Sequence, residues 1–369
     1  MSGAFEAGDG SAAAAFTRPE LDEIELYDPD RRPARIDLSD NTNRWGMPPA
    51  ARQALRDAEE SSAVRYPALY AQSLKRALAE YLGVEPSNLV TGCGSDDVLD
   101  SAMRACGPAG GVVAAPTPVF PMIPLFARMN GLRFVPARLD AELSVDVESL
   151  VSADPDVIYL CTPNNPTGTV LPRELIRDTL RRSRALVIVD EAYAEFGGES
   201  VVDLTRESPR LLVVRTMSKA FGLAGLRVGY AVGAPTLIAA VEKSRGPYKV
   251  NALAERAAVA ALTDGLAWVR SRIADVVALR ATLRDALAQR GLEPLPSAAN
   301  FVFVPINRAA DVAAMMRDMG VAVRPFTDLD SDIPSLRATG GSALRISIGP
   351  RAELDAALAA LDQARAACE

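Results

Sequence analysis

Thr216-Met217-Ser218-Lys219-Ala220-Phe221-Gly222-Leu223-Ala224-Gly225-Leu226-Arg227 follows the apolar run Leu211-Leu212-Val213-Val214. That run is short and β-branched enough to form a buried strand, so Lys219 is expected just past a strand's carboxyl end. Among small and apolar neighbours its ammonium is poorly solvated, which lowers its pKa toward the neutral amine that attacks carbonyl carbons. Arg227, eight residues on, is near enough to meet an anion bound beside the lysine. Taken alone, the stretch reads more simply as a snorkelling surface lysine followed by a surface arginine. The rest of the chain decides against that reading.

Outward from this stretch, strands and helices alternate. Short buried strands are expected over 111–115, 133–135, 156–161, 185–189, 211–215 and 228–232, with helices or turns between them. The pattern predicts an α/β fold, a three-layer sandwich around a mainly parallel central sheet. Pro48 or Pro49 opens a helix running to about Glu60, and a second amphipathic helix spans roughly Ala68 to Leu82. Thr91 to Asp97 reads as a Gly-rich turn leading into a helix. After about Asn251 the texture changes to long Ala- and Leu-rich helices, and 300–305 and 344–348 read as strands of a smaller α+β domain. Residues 1–35 form an N-terminal arm that folds back on that smaller domain, 36–262 the large domain and 263–369 the small one.

The 369 residues carry a formal net charge of −7, which argues against nucleic acid or an anionic membrane as partner. No apolar run is long enough to cross a membrane, and the first sixteen residues lack the basic and apolar regions of a secretory leader. Cys93, Cys106, Cys161 and Cys368 show no C-x-x-C spacing and read as free thiols of a reducing, cytoplasmic compartment, with no metal site. The chain has no histidine. Acid-base chemistry therefore falls to Lys, Tyr, Asp, Glu or a cofactor.

Asp190 ends the expected strand Leu186-Val187-Ile188-Val189, and Tyr193 follows three residues later. A carboxylate at the end of a buried strand is unfavourable unless it meets a cation, for which a protonated pyridine nitrogen qualifies; capping the next turn is the plainer use. Thr162-Pro163-Asn164-Asn165-Pro166-Thr167-Gly168 brings polar amides to the same sheet edge, where open α/β sheets bind ligands. Gly94-Ser95-Asp96 offers backbone N–H groups at a helix start, a common feature that can hold an anion.

In the order Gly94, Asn165, Asp190, Tyr193, Lys219, Arg227, these are groups that can hold pyridoxal phosphate. The chain resembles the fold-type I, class I/II aminotransferases, and among them most the histidinol-phosphate aminotransferase family. The resemblance rests on Arg65-Tyr66-Pro67, Asn164-Asn165-Pro166-Thr167-Gly168, Asp190-Glu191-Ala192-Tyr193, Ser218-Lys219-Ala220-Phe221 with Ala224-Gly225-Leu226-Arg227, and Leu344-Arg345-Ile346-Ser347. It implies that Lys219 links covalently to the cofactor and, once displaced by substrate, moves a proton between Cα and C4′. Asp190 would keep the pyridine nitrogen protonated, and Asn165 and Tyr193 would hydrogen-bond the phenolic oxygen. Gly94, Ser95, Asp96, Ser218 and Arg227 would surround the phosphate, and Phe120 would stack on the ring. Tyr66 matches a tyrosine that reaches the neighbouring subunit's site, which implies a homodimer with shared sites. Arg345 and Arg324 match substrate-anion arginines; Asn43 and Tyr27 are further substrate-side candidates.

The resemblance implies exchange of an amino group between a small-molecule amino donor and a keto-acid acceptor, with glutamate and 2-oxoglutarate as a natural pair. A decarboxylase of the threonine-phosphate type is the alternative, and an aromatic amino-acid aminotransferase another. The loop Asn41-Thr42-Asn43-Arg44 departs from the family's usual Asn-Glu-Asn-Pro, and Arg44 is expected to add positive charge near the substrate. Trp45 either lines a side-chain pocket or packs the loop.

Overall fold

The structure, a computed structural model, describes residues 18, 21, 22, 24 and 32–368, so Tyr27 lies outside the described residues. The chain enters through β1 (Ile36–Asp37) and the loop that carries Asn41, then α1 (Pro49–Arg56), α2 (Ser61–Val64) and α3 (Gln72–Leu82). The first helix stops at Arg56 rather than near Glu60. Tyr70 and Ala71 have left-handed backbones, at φ 63° and 48°, so the expected helix from Ala68 starts only at Gln72.

Next come β2 (Leu89–Cys93), α4 (Gly94–Cys106), β3 (Val112–Thr117), α5 (Met122–Met129), β4 (Arg133–Arg138), α6 (Val147–Val151) and β5 (Val157–Cys161). They lead to α7 (Arg173–Arg182), β6 (Leu186–Asp190), β7 (Leu211–Thr216), β8 (Val228–Gly233), α8 (Pro235–Lys243) and α9 (Ala252–Leu262). Seven of these strands form one sheet in the order β2-β8-β7-β6-β5-β3-β4, in which β8 alone runs against its neighbours. The expected turn over Thr91–Asp97 is thus half strand: Leu89 to Cys93 pair with β8, which leaves Gly94 to open α4.

Alternation along each strand feeds two cores. In β6, Val187 and Val189 face the cluster shared with α3, α7 and α9, whereas Leu186 and Ile188 face the one shared with α4, α5 and α8. The strands are apolar on both faces because helices cover both, giving a three-layer sandwich. Asp190 continues the second face, and Tyr159 and Cys161 of β5 lie on it too.

After α9 a turn at Thr263–Gly265 separates α10 (Leu266–Ala288). There follow β9 (Phe301–Pro305), α11 (Ala309–Asp318), β10 (Val321–Ala322), β11 (Arg324–Phe326), α12 (Pro334–Ala338), β12 (Ala343–Ser347) and α13 (Arg351–Cys368). β11, β12 and β9 make an antiparallel sheet, and β1 pairs in parallel with β10, so residues just ahead of Asn41 belong structurally with the carboxyl-terminal third.

Candidate active site

The carboxyl ends of β5, β6 and β7 lie side by side, with Cys161 in register with Asp190, and Asp190 with Val214. Lys219 follows the end of β7. Its Nζ donates to the Asp40 carbonyl at 3.2 Å and sits 5.8 Å from the Tyr193 ring centre. Burial, with Arg345 and Arg227 adding positive charge, lowers the ammonium pKa from 10.5 to about 8, although Asp96 and Asp190 pull the other way. Near neutral pH an appreciable fraction is the nucleophilic free amine.

The lysine loop is held from two sides. Arg215 bonds Glu191 at 2.7 Å and lies 3.5 Å from Glu195, tying the end of β7 to the turn after β6. Gly222 has φ 65°, and a Cβ there would collide with the carbonyl of Gly46, so the loop's backbone seats directly on the segment after Asn41.

Asp190 is buried. Tyr159 Oη donates to its Oδ2 at 2.7 Å and the Ala192 N–H to its Oδ1 at 3.0 Å. Burial nevertheless pushes its pKa up from 3.8 to about 6 against those bonds. A carboxylate in that condition lacks a cation. Tyr159 was not among the expected site residues, although a tyrosine inside an apolar strand must find a partner for its hydroxyl.

Tyr193 is buried, with its ring edge-on to Phe301 at 5.2 Å between centres. Asn41 Nδ2 donates to the Tyr193 hydroxyl at 3.0 Å. Ser347 Oγ accepts from the Asn41 N–H and donates to Asn41 Oδ1, both at 2.9 Å, which fixes the amide's orientation. Tyr193 therefore accepts from Asn41 and keeps its own proton for another partner. Asn165 is set in the same way: its Oδ1 accepts from Arg345 Nη1 at 2.6 Å, which leaves its NH2 to donate elsewhere. Arg345 also donates to Ser39 O at 2.7 Å and lies 5.5 and 5.7 Å from the ring centres of Phe301 and Phe326.

At the other end of the site, Gly94 opens α4 with φ 80°, and a Cβ on it would collide with the Arg227 guanidinium. Arg227, itself left-handed at φ 54°, reaches Asp96 at 3.3 Å, and Ser218 bonds Thr216 Oγ1 nearby at 2.9 Å. Ser95 follows in the first turn of α4, whose start is pinned by Asp97 through Arg245 at 3.0 Å and Lys249 at 2.8 Å.

Other expected residues fall differently. Asn43 spends its side chain on the loop, donating to Ala220 O and accepting from the Trp45 N–H, both at 3.0 Å. Arg44 does not bring free charge to the substrate: it forms a bidentate pair with Glu353 at 2.8 and 2.9 Å, which cancels the expected positive potential. Trp45 packs, partly buried, against the core. Phe120 packs half-buried beside the second core, its loop tied to the site by Asn164 donating to Pro118 O at 3.1 Å. Tyr66 is 85% exposed and stacked on Tyr248 with ring centres 5.1 Å apart. Arg324 stands opposite Arg345 in the β11–β12 pair and meets Asp40 at 3.3 Å.

These residues fit pyridoxal phosphate. The desolvated lysine suits its aldehyde, the under-neutralised Asp190 its pyridinium, the two oriented donors its phenolic oxygen, and the Gly94–Arg227 cradle its phosphate. Among the described residues no cluster of three or more potential metal ligands exists, and no helix is long and apolar enough to span a membrane.

Comparison with known proteins gives the family. Residues 33–361 match the family described as aminotransferase class I and II. A histidinol-phosphate aminotransferase of Thermoanaerobacter pseudethanolicus is 35% identical over 89% of this chain and 94% of its own. An aromatic amino acid aminotransferase of Rhodococcus jostii is 36% identical over 93% and 94%. The crystal structure of histidinol-phosphate aminotransferase from Sinorhizobium meliloti in complex with pyridoxal 5′-phosphate superposes with a TM-score of 0.83 at 27% identity, covering 96% of this chain and 99% of that one. The chain belongs to the aminotransferase class I and II family.

Proposed function

We propose that this aminotransferase uses pyridoxal phosphate held by the residues above to move an amino group from an amino acid or phosphorylated amine to a 2-keto acid such as 2-oxoglutarate. The bound cofactor supplies an electron sink for the carbanion formed at the substrate's Cα. Lys219, with an amine near neutrality, attaches to it and, when displaced, carries the proton at Nζ. Asp190 keeps the ring nitrogen protonated, and Tyr193 and Asn165 donate to the phenolic oxygen. Gly94, Ser95, Asp96, Ser218 and Arg227 anchor the phosphate, and Phe120 covers the ring. Arg345 receives the substrate carboxylate through its guanidinium plane. The observation that carries this reading is the adjacency of a desolvated lysine and a cation-seeking aspartate at neighbouring strand ends.

In this reading the large domain is 36–262, the small one 263–369, and the arm of 1–35 packs on the latter. The enzyme is a cytoplasmic homodimer. Val64, Tyr66, Leu69, Tyr70 and Tyr248 are all exposed and cluster near α2 and the start of α3, which supports a face covered by a second copy whose Tyr66 enters this site. The test is a half-reaction. Purified holoenzyme is mixed with phenylalanine, glutamate or histidinol phosphate, and the bound cofactor's absorbance is followed, with Lys219→Ala as blank. Conversion to the amine form of the cofactor supports the reading, and failure with every amine rejects it.

A further inference from the structure

We propose that Tyr159 is a positioning residue for the amino-group exchange: by donating to Asp190 it holds that carboxylate ionised, so that the proton between Asp190 and the cofactor's ring nitrogen stays on the nitrogen. The inference rests on the aminotransferase reading and adds to it a residue that acts on the cofactor only through Asp190.

Tyr159 lies in β5 opposite Ile188 of β6, two positions before the Cys161–Asp190 pair at the strand ends. Side chains two apart on a strand share a face, so the phenol runs along the sheet toward Asp190 and meets its Oδ2 at 2.7 Å from the core side. The tyrosine is fully buried. Packing between strand and helices asks only for the ring; a hydroxyl there is unfavourable unless it is bonded, and this one is bonded to Asp190. The neighbouring Cys161 thiol donates instead to Pro163 O at 3.3 Å.

That bond acts on a closely contested proton. Burial raises the Asp190 pKa to about 6, and Asp96 and Glu191 push the same way, while the Tyr159 hydroxyl and the Ala192 N–H oppose them. A carboxyl of that basicity competes with a pyridine nitrogen, so loss of one donor draws the proton toward the acid, and an uncharged ring is the poorer electron sink. The other titratable groups within reach of its charge are Cys161, Tyr193 and Lys219. Tyr159 itself keeps its proton throughout the neutral range, because burial and the Asp190 charge push its pKa well above the usual 10. In a chain without histidine, the aspartate is thus backed by a donor that does not titrate where the enzyme works.

The test is Tyr159→Phe, which keeps the ring and removes one oxygen. In the cofactor-free protein the Asp190 carboxyl is titrated by difference infrared spectroscopy, with Asp190→Asn to identify its band; the midpoint should move up from about 6 by ~1–2 units. In the holoenzyme, pyridoxal phosphate carrying nitrogen-15 in the ring is followed by NMR at neutral pH. Wild type should show the protonated nitrogen, and Tyr159→Phe a shift displaced toward the unprotonated one. The limiting rate of the half-reaction should fall roughly tenfold, with the half-saturating amine concentration nearly unchanged. In an Asp190→Asn background, Tyr159→Phe should leave the nitrogen shift where it is, because the phenol acts through the carboxylate. Replacing Tyr159 by 3-fluorotyrosine, a stronger donor in the same place, should move the carboxyl midpoint down, which keeps the test open if Tyr159→Phe folds poorly. A merely structural role would lower the unfolding midpoint and leave carboxyl titration and nitrogen shift as in wild type; that result overturns the proposal, as does a further shift in the double variant. If no amine converts the cofactor in wild type, the aminotransferase reading fails and the proposal with it, whereas a reactive wild type whose nitrogen shift Tyr159→Phe reproduces rejects the proposal alone.

Discussion

The side-chain amide of Asn41 donates to the phenol of Tyr193 at 3.0 Å, and Ser347 dictates which end of that amide faces the ring. Accepting this bond makes the Tyr193 hydroxyl a better donor, and it works against the strong upward push of burial on its pKa. Asn41→Ala is therefore expected to weaken the bond from Tyr193 to the cofactor's phenolic oxygen. The midpoint in a pH titration of the bound cofactor's visible absorbance should rise by ~0.5–1 unit, the equivalent of one ordinary hydrogen bond. Ser347→Ala should move it less, in the same direction. An unchanged midpoint in both variants removes Asn41 from this role.

Lys219 titrates near 8 rather than 10.5 because it is buried beside Arg345 and Arg227. Only the neutral amine captures an aldehyde. The rate at which cofactor-free protein takes up pyridoxal phosphate, followed by stopped-flow absorbance, should rise with pH and level off above about 8. A rise continuing to the ordinary lysine range would show that the ammonium is well solvated. Lys219→Ala should abolish the covalent phase.

Asp190 has a folded-state pKa raised from 3.8 to about 6, so between those values the folded protein binds more protons than the unfolded chain. Stability of the cofactor-free protein is then lost as pH rises through that window. Asp190→Asn should be more stable than wild type at pH 7, by on the order of 3 kcal/mol, with the difference vanishing near pH 4. Chemical denaturation at the two pH values measures it. A difference independent of pH would mean that Asp190 is not penalised by burial.

Tyr159→Phe takes away the 2.7 Å donor to Asp190 Oδ2 and leaves a buried oxygen unsatisfied. At pH 7 the loss should be about 1–3 kcal/mol in urea unfolding of the cofactor-free protein. It should be smaller in the Asp190→Asn background, because the two residues are coupled. Simple additivity would place the Tyr159 hydroxyl outside the carboxylate's environment.

Tyr66 is expected to act in the neighbouring subunit. Lys219→Ala and Tyr66→Ala should each be impaired alone. Mixed and reassembled, they should recover about a quarter of wild-type activity, since half the dimers are hybrids and one site in each hybrid is intact. No recovery above the sum of the two would confine Tyr66 to its own protomer.

Much of this was legible in the sequence because strand ends and motif spacing are local properties. Lys219 after Val213-Val214, Asp190 after Val189 and Arg227 eight residues beyond the lysine all sit where the pattern puts them. What was not legible depends on partners far along the chain. β2 reads as a turn because a run ending in Thr-Gly-Cys gains strand character only by pairing with β8. β10 and β11, at two and three residues, are too short to carry a period. Arg44 looks like free charge until Glu353, more than three hundred residues away, comes beside it. Asp40, Asn41 and Tyr159 are ordinary in sequence and informative only through what they touch.

The segment from Ile36 to Met47 is bonded on one side to β10 and Ser347, and on the other to Tyr193 and Ala220. Gly46 also seats the lysine loop. Any hinge motion that draws the smaller sheet away from the larger one must pull on these bonds, so the tyrosine and the lysine loop slacken as the cleft widens. The strap thus couples the two sheets mechanically: the placement of the tyrosine and of the lysine loop is tied to that of the smaller sheet.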